Sequence, residues 1–285
     1  MINHKIDFVF TIEVSGANPN GDPLNGNMPR MDSKGYGEIS DVCIKRKIRN
    51  RMQDLGAKIF VQSQERCDDG CDSLLTRFQN MKGSEKAKDV EQLANQTWLD
   101  VRSFGQVFTE KKNSLAIRGP VTISMGKSID VINPISMQIT KSVNSMPVPE
   151  TSTSGRSSDT MGTKHYIDYG IYVVNGSINS YFAEKTGLNE DDVAMIKQCL
   201  QTLFVNDASS ARPDGSMQVK DLFWFIHSSK AGDVSSAKIK DLLEYEIPYD
   251  QQGRLKYEDY HIRLNPDKLK EYEDKGLTLE HLQGE

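Results

Sequence analysis

Ile6-Asp7-Phe8-Val9-Phe10-Thr11-Ile12-Glu13-Val14 sets Ile6, Phe8, Phe10, Ile12 and Val14 at every second position. That is the period of a strand with one face buried, and it predicts a strand here. Ser15 to Gly37 follows, with five glycines and three prolines among Asn, Asp and Ser. This is loop chemistry extended well beyond a turn, and loops of that length in a compact domain are functional or disordered. Ser40 or Asp41 then caps a helix whose Ile44, Ile48, Met52 and Leu55 share one face, and Gly56 stops it.

Further along, Lys58–Gln62 fits a short strand, and residues 72–101 fit one or two helices with Leu74, Leu75 and Phe78, then Val90, Leu93 and Ala94, turned inward. Leu115–Met125 and Tyr166–Val174 read as strands. Between them Lys141–Lys164, with Pro147, Pro149, Gly155 and Gly162, has too few apolar residues to pack alone and reads as an arm or flap. Asn189 caps a second helix facing inward through Val193, Ile196, Leu200, Leu203 and Phe204, and Leu222–Ile226 is a continuous apolar run suited to a central strand. Strand, helix, strands, helix, strand is the order of a ferredoxin-like or RNA-recognition-motif core, so an α+β fold split by a long insertion is expected. No internal repeat is visible.

At 285 residues and 37% hydrophobic, the chain can bury a sizeable core. It contains no apolar run of the about 18 residues that a membrane helix needs. The start, Met1-Ile2-Asn3-His4-Lys5, leads into the alternating strand instead of a signal peptide's apolar stretch. A cytoplasmic protein without a membrane partner is expected. Cys43, Cys67, Cys71 and Cys199 are too few and too scattered for a disulfide framework. The net charge of −5 is uneven: residues 233–285 hold 13 acidic and 8 basic side chains, leaving 27 of each sign in residues 1–232. The isoelectric point of about 5.7 therefore describes the C-terminal segment and does not exclude a polyanionic partner for the rest.

Lys45, Arg46, Lys47, Arg49 and Arg51 place five cations within seven positions of the first helix, directly after the glycine-rich loop. Like charges at i,i+4 repel by a few tenths of a kcal/mol, which a polyanion relieves. Glycines let backbone N–H groups approach phosphates, and the helix N-terminus adds positive potential. A solvated basic face beside a plain surface turn fits the same residues. The flap supplies Lys141, Arg156, Lys164 and His165 beside Met137, Met146 and Met161. Apolar tips on a basic hairpin can wedge between bases, but the composition equally fits a linker.

Five ordered stretches carry a resemblance: Asn18–Asp32 (NPNGDPLNGNMPRMD), Ser40–Asn50 (SDVCIKRKIRN), Asp100–Phe108 (DVRSFGQVF), Arg118–Ser124 (RGPVTIS) with Ser128–Asp130, and Lys164–Tyr172 (KHYIDYGIY). Together they resemble the backbone subunit of type I-C Cascade, of the RAMP superfamily, through most of residues 5–227. The resemblance implies a right-hand shape: an RNA-recognition-motif-like palm, an inserted finger or web region and a thumb hairpin. Mapped here, residues 1–62 and 166–232 form the palm, 63–138 the fingers and web, and 139–165 the thumb flap. Residues 233–285 remain an acidic C-terminal segment matching nothing. Copies are implied to stack as a helical filament along guide CRISPR RNA, each thumb displacing a base while the others pair with target DNA. Other Cascade subunits would cap the filament, and a recruited helicase-nuclease would cut. The implied RNA-binding residues are Asn18, Asn20, Gly21, Arg30, Lys45, Arg46, Arg49, Arg118, Lys141, Lys164 and His165, with Met137, Met146 and Met161 as base-displacing candidates. No cofactor or metal is implied.

The paired aromatics of an RNP1 pattern are absent, so contact along the RNA backbone is expected instead of base stacking on the sheet. A lone C-x₃-C at Cys67 and Cys71 is a weak metal signal. Asp22, Asp32 and Asp100 lie near the RNA-contacting stretches, and related type III backbone subunits cut RNA with an aspartate in a comparable loop. Asp22 and Asp32 thus define an alternative, a metal-dependent endoribonuclease, against which stands the ordinary turn and cap chemistry of Asp in Gly/Pro-rich loops. His165 and His227 have no visible acid/base partner, and no Walker A loop or nucleophile elbow occurs. A non-catalytic scaffold is the expectation.

Overall fold

The computed structural model describes residues 1–83, 87–110, 113–140, 161–248 and 255–285. Strand β1 (Ile6–Ala17) leads into the glycine-rich loop, which carries β2 (Gly21–Asp22), β3 (Met28–Pro29) and β4 (Tyr36–Ile39). Helix α1 (Asp41–Asp54) starts where the Ser40 hydroxyl accepts the Cys43 N–H, as expected for its cap. An insertion follows with α2 (Leu74–Lys82), α3 (Ala87–Thr97), α4 (Leu99–Phe104) and the hairpin β5 (Gly105–Glu110) and β6 (Asn113–Arg118). Then come β7 (Val121–Ile123), β8 (Gly126–Val131), β9 (Pro134–Thr140) and the long β10 (Met161–Ile178). Helices α5 (Ser180–Thr186) and α6 (Glu190–Gln201) precede β11 (Met217–Ile226). The chain ends with α7 (Ser236–Lys240), β12 (Leu243–Glu244), β13 (Arg263–Leu264), α8 (Pro266–Glu273) and β14 (Thr278–Gln283).

The main sheet runs β14-β11-β1-β10-β8-β4, with β7 and β9 also paired to β10, and its pairings are antiparallel. One face packs on α1 and α6, where Phe8, Phe10, Ile12 and Trp224 meet Ile44, Ile48, Met52, Ile196 and Leu200. Burying each such side chain stabilises by about 1.5–3 kcal/mol relative to exposure.

The opposite face differs from the half-buried strand that the alternation predicts. Val9, Phe223 and Phe225 are covered there by Val234, Ile239, Leu242, Tyr272 and Leu277, all from residues 233–285. The described parts of the acidic segment form a packed layer, and its β14 extends the sheet beside β11. Buried Thr11 is satisfied within it: its hydroxyl lies 2.7 Å from the Tyr257 hydroxyl and accepts the Asp221 N–H at 3.1 Å.

The insertion has its own aromatic core. Phe60 lies 4.7 Å from Trp98 and 4.9 Å from Phe108, and Phe78 stacks on Phe108 at 4.4 Å, centroid to centroid. Three sequence expectations are corrected here. Lys58–Gln62 is not a strand, because the Phe60 and Val61 amides donate to the Asp100 carboxylate at 2.6 and 3.1 Å instead of to a ladder. Residues 72–101 lie in three helices, the third running to Phe104. Leu115–Met125 is broken into β6 and β7 at Gly119-Pro120, where proline has no N–H to donate. Gly105 faces this break with φ +76°, and a Cβ on it would strike the Ile117 carbonyl oxygen and the Gly119 nitrogen. Among the described residues, no helix is long and apolar enough to cross a membrane.

Candidate nucleic-acid interface

The glycine-rich loop is stitched to itself and to two other parts of the chain. Asn20 Oδ1 accepts the Ser40 N–H at 2.9 Å, tying the loop to the α1 N-terminus, and the Arg30 N–H donates to Asn20 O at 3.0 Å. Asn18 Nδ2 donates to Asn27 O at 2.7 Å, while the Asn18 N–H donates to Ala211 O at 2.9 Å in the loop before β11. Gly21 lies so close to Asn27 that an added Cβ would sit 3.0 Å from Asn27 Oδ1. These bonds hold Asn18, Asn20 and Gly21 in one fixed turn.

The two aspartates weighed for catalysis serve the loop itself. Asp22 Oδ1 accepts the Leu24 N–H at 3.2 Å and lies 3.4 Å from Arg30 Nη2. Asp32 Oδ1 accepts the Lys34 and Tyr36 N–H groups at 2.8 and 3.0 Å, and its Oδ2 takes Lys127 Nζ at 2.6 Å. The Lys127 bond, helped by those two amides, holds the Asp32 carboxyl below its ordinary pKa. Among the described residues, no group of three or more His, Cys, Asp or Glu side chains is placed to hold a metal ion.

The cations of α1 depart from a freely solvated basic face. Lys45 pairs with Asp41 at 3.0 Å. Arg46 Nη1 donates to Val61 O at 2.7 Å, and burial pushes its guanidinium pKa down. Lys47, only 3% exposed, is bonded to Asp207, and Arg51 Nε donates to Thr202 Oγ1 at 2.7 Å. Arg49 Nε reaches Asp100 Oδ2 at 2.8 Å, with its guanidinium 5.1 Å from the Phe104 ring. The helix is flanked by the insertion and by the segment after α6, so its long cationic side chains span those seams instead of projecting.

β10 ties the flap to this region. Ile167 pairs with Ala17, the last residue of β1, on one side and with Pro134, the first of β9, on the other. The glycine-rich loop and the β9–β10 hairpin therefore leave the same end of the sheet. Lys164 sits opposite Met137 in that hairpin, and His165 Nδ1 lies 2.9 Å from Ser136 Oγ. Met137, Ile139 and Met161 are about half exposed, at 47, 48 and 62%. Lys141, Met146 and Arg156 lie outside the described residues. Arg118 is not brought to this end: it precedes β7, whose Val121 pairs with Ile178 at the far end of β10, and it lies 4.2 Å from the Phe182 ring.

Arg212 joins the site although the sequence reading passed over it. It lies in Asp207–Gly215, a Ser/Pro/Gly-containing stretch whose composition signals only a loop. Arg212 Nη1 donates to Asn18 O at 3.4 Å, and its Nε lies 3.9 Å from Asp207 Oδ2. Arg212 Nε and Arg30 Nε are both buried without an acceptor. The side chains as wholes stay 37% (Arg30) and 28% (Arg212) exposed, so the guanidinium heads can still meet an anion.

The family model described as CRISPR-associated protein Cas7 matches residues 4–265. A CRISPR-associated protein Cas7 of Haloferax volcanii is 27% identical over 228 residues, covering 73% of this chain and 66% of the relative, just under two thirds of its length. A chain of a solved structure described as a CRISPR RNA-guided surveillance complex, pre-nicking, superposes with a TM-score of 0.50 over 78% of each chain at 14% identity, a likeness of fold. With a family match across the sheet, the insertion and the loops that converge on Asn18, this chain belongs to the CRISPR-associated protein Cas7 family.

Proposed function

We propose that the chain is a guide-RNA-binding backbone subunit of a CRISPR surveillance complex of type I-C. It polymerises along the guide and holds it for pairing with target DNA in antiviral defence. The observation that carries this reading is the shared exit of the glycine-rich loop and the β9–β10 hairpin on either side of Ile167, beside the partly exposed Arg30 and Arg212. A fixed loop gripping backbone phosphates beside an arm with exposed methionines suits a scaffold that must hold any guide sequence and leave base edges free.

The order β11-β1-β10-β8, with α1 after β1 and α6 after β10, supports a ferredoxin-like palm. Residues 63–138 are read as fingers and 139–165 as the thumb. The layer formed by residues 233–285 covers the face on which an ordinary RNA-recognition motif stacks bases, which favours backbone contact. Neighbouring copies, other Cascade subunits at the filament ends and a recruited helicase-nuclease complete the proposed assembly.

Purification from cells that also make the guide tests the reading. The expected product is a multimer with RNA of discrete length, protected from nuclease at a regular interval. A protein that emerges free of nucleic acid argues against it. The endoribonuclease alternative is tested by adding complementary RNA and Mg²⁺ to the loaded complex. Periodic cuts abolished by Asp32→Ala would establish it, whereas the engagement of Asp32 with Lys34, Tyr36 and Lys127 leads us to expect uncut RNA.

A further inference from the structure

Three cations from separate parts of the chain gather between the Asn18–Gly21 turn and α1: Lys47 of α1, Arg30 just after β3, and Arg212 of the loop between α6 and β11. Two carboxylates accompany them. Asp207 is bonded to Lys47 and stands 3.9 Å from Arg212 Nε, and Asp22 stands 3.4 Å from Arg30 Nη2. With three cations against two carboxylates, the cluster holds one more positive charge than negative, and Lys47 has a hydrogen-bonded carboxylate. The Nε donors of both arginines are buried without an acceptor, although the two side chains remain 37% (Arg30) and 28% (Arg212) exposed. The exposed part of each guanidinium is therefore the part open to an anion, which would relieve the excess positive charge.

The backbone of one turn takes a bond from each arginine. Arg30 is attached by its N–H to Asn20 O, and Arg212 by its Nη1 to Asn18 O, while Ala211 O takes the Asn18 N–H. We infer that Arg30 and Arg212 form a clamp for one backbone phosphodiester of single-stranded RNA across the Asn18–Gly21 turn. Arg212 is supplied by a loop outside every motif that marked the chain as RNA-binding. Lys47 and Asp207 are positioning residues: their bond anchors the base of that loop on α1 and keeps Asp207 from closing on Arg212. The inference rests on the guide-RNA reading and adds to it a residue and the group it grips.

The test uses the full chain and a fluorescent guide-length RNA, with Kd measured over a range of salt. Losing one phosphate contact on single-stranded nucleic acid makes the slope of log affinity against log salt shallower by about 0.7. Arg212→Gln is expected to lose that much slope and to bind several-fold more weakly. Arg212→Lys is expected to keep the slope and still bind more weakly, because lysine lacks the forked donors. Should Arg212→Gln prove unstable, Arg212→Lys carries the test, since it retains the charge beside Asp207. Wild-type slope and affinity in either folded variant overturn the clamp and leave the guide-RNA reading standing. Absence of salt-dependent binding by the unaltered protein overturns both.

Discussion

Arg49 Nε donates to Asp100 Oδ2 at 2.8 Å, joining α1 of the central sheet layer to α4 of the insertion across 51 residues of chain. Asp100 is fully buried, and its two oxygens also take the Phe60 and Val61 amides, so one carboxylate closes the seam between the two hydrophobic cores. Removing one partner of such a pair leaves an uncompensated charge and unpaired donors, at a cost of about 3–5 kcal/mol. Asp100→Ala is therefore expected to lower stability by that order in urea unfolding followed by intrinsic fluorescence, with Trp98 reporting the insertion. An unchanged midpoint would remove Asp100 as the joint.

The same seam bears on RNA-binding mutagenesis. Reversing Lys45, Arg46 and Arg49 together looks like a clean removal of a basic surface when they are read off a helical wheel. Arg49 is committed to Asp100 and Arg46 to Val61 O, so reversing all three breaks the insertion away from α1. Lys45→Glu alone leaves those bonds intact and is the variant in which a loss of RNA binding reports on RNA contact.

The pattern of residues 6–14, the caps at Ser40 and Asn189 and the loop chemistry of Ser15–Gly37 were legible because each depends on neighbours within a few positions. The burial of the second sheet face was not. Val9 lies among Asp7 and Thr11, whose polarity marks a solvated face, yet each bonds to a residue more than 200 positions away, Asp7 Oδ2 to His227 and Thr11 Oγ1 to the Asp221 N–H. Residues 58–62 misled for a related reason: a short apolar run reads as a strand when the carboxylate capping its amides lies about 40 positions on. Arg212 was missed because only the fold brings its loop to Asn18.

Asp7 gives the protein a defined acid sensitivity. Burial alone would raise its pKa, but hydrogen bonds from His227, Lys5 and Ser236 and the Lys5 charge outweigh burial and hold it below the ordinary carboxylate value. The folded state then binds fewer protons at this site than the unfolded chain. The stabilisation is complete above the unfolded value of about 4 and is lost as pH falls through the lower folded value. Thermal melting between pH 7 and pH 2.5 should show the midpoint dropping below about pH 4. Asp7→Asn should start lower at neutral pH and drop less. Parallel profiles for the two proteins would show that Asp7 is not the source.

Gly105 tests the hinge of the insertion hairpin. Its φ of +76° and ψ of 172° belong to a region that is essentially restricted to glycine, and the space a Cβ needs is filled by Ile117 and Gly119 backbone. Gly105→Ala should cost at least about 2 kcal/mol, from backbone strain of 1–3 kcal/mol together with displacement of β6. Hydrogen exchange should quicken at the β5–β6 amides before those of β1. Equal protection in both strands sets would place the strain elsewhere.

The C-terminal layer is expected to act as a structural cover and not as a modulator of RNA affinity. Tyr272 is 6% exposed and packs in the cluster that seals Phe223 and Phe225, so Tyr272→Ala should cost about 3–5 kcal/mol, in the range of large aromatic truncations. It should also increase binding of a hydrophobic dye as the sheet face opens. Glu271, Glu273 and Asp274 on the exposed side of the same helix end are a separate matter. Neutralising them as Glu271→Gln, Glu273→Gln and Asp274→Asn should shift stability by no more than about 0.5 kcal/mol each. At physiological salt the Debye length is about 8 Å, so charges on the far side of a packed layer should exert little force on RNA at the proposed Asn18 contact. The triple variant should bind guide RNA with the affinity and salt slope of the unaltered protein. A marked gain in affinity would mean that the acidic surface lies against the RNA path and that the layer regulates binding as well as covering the sheet.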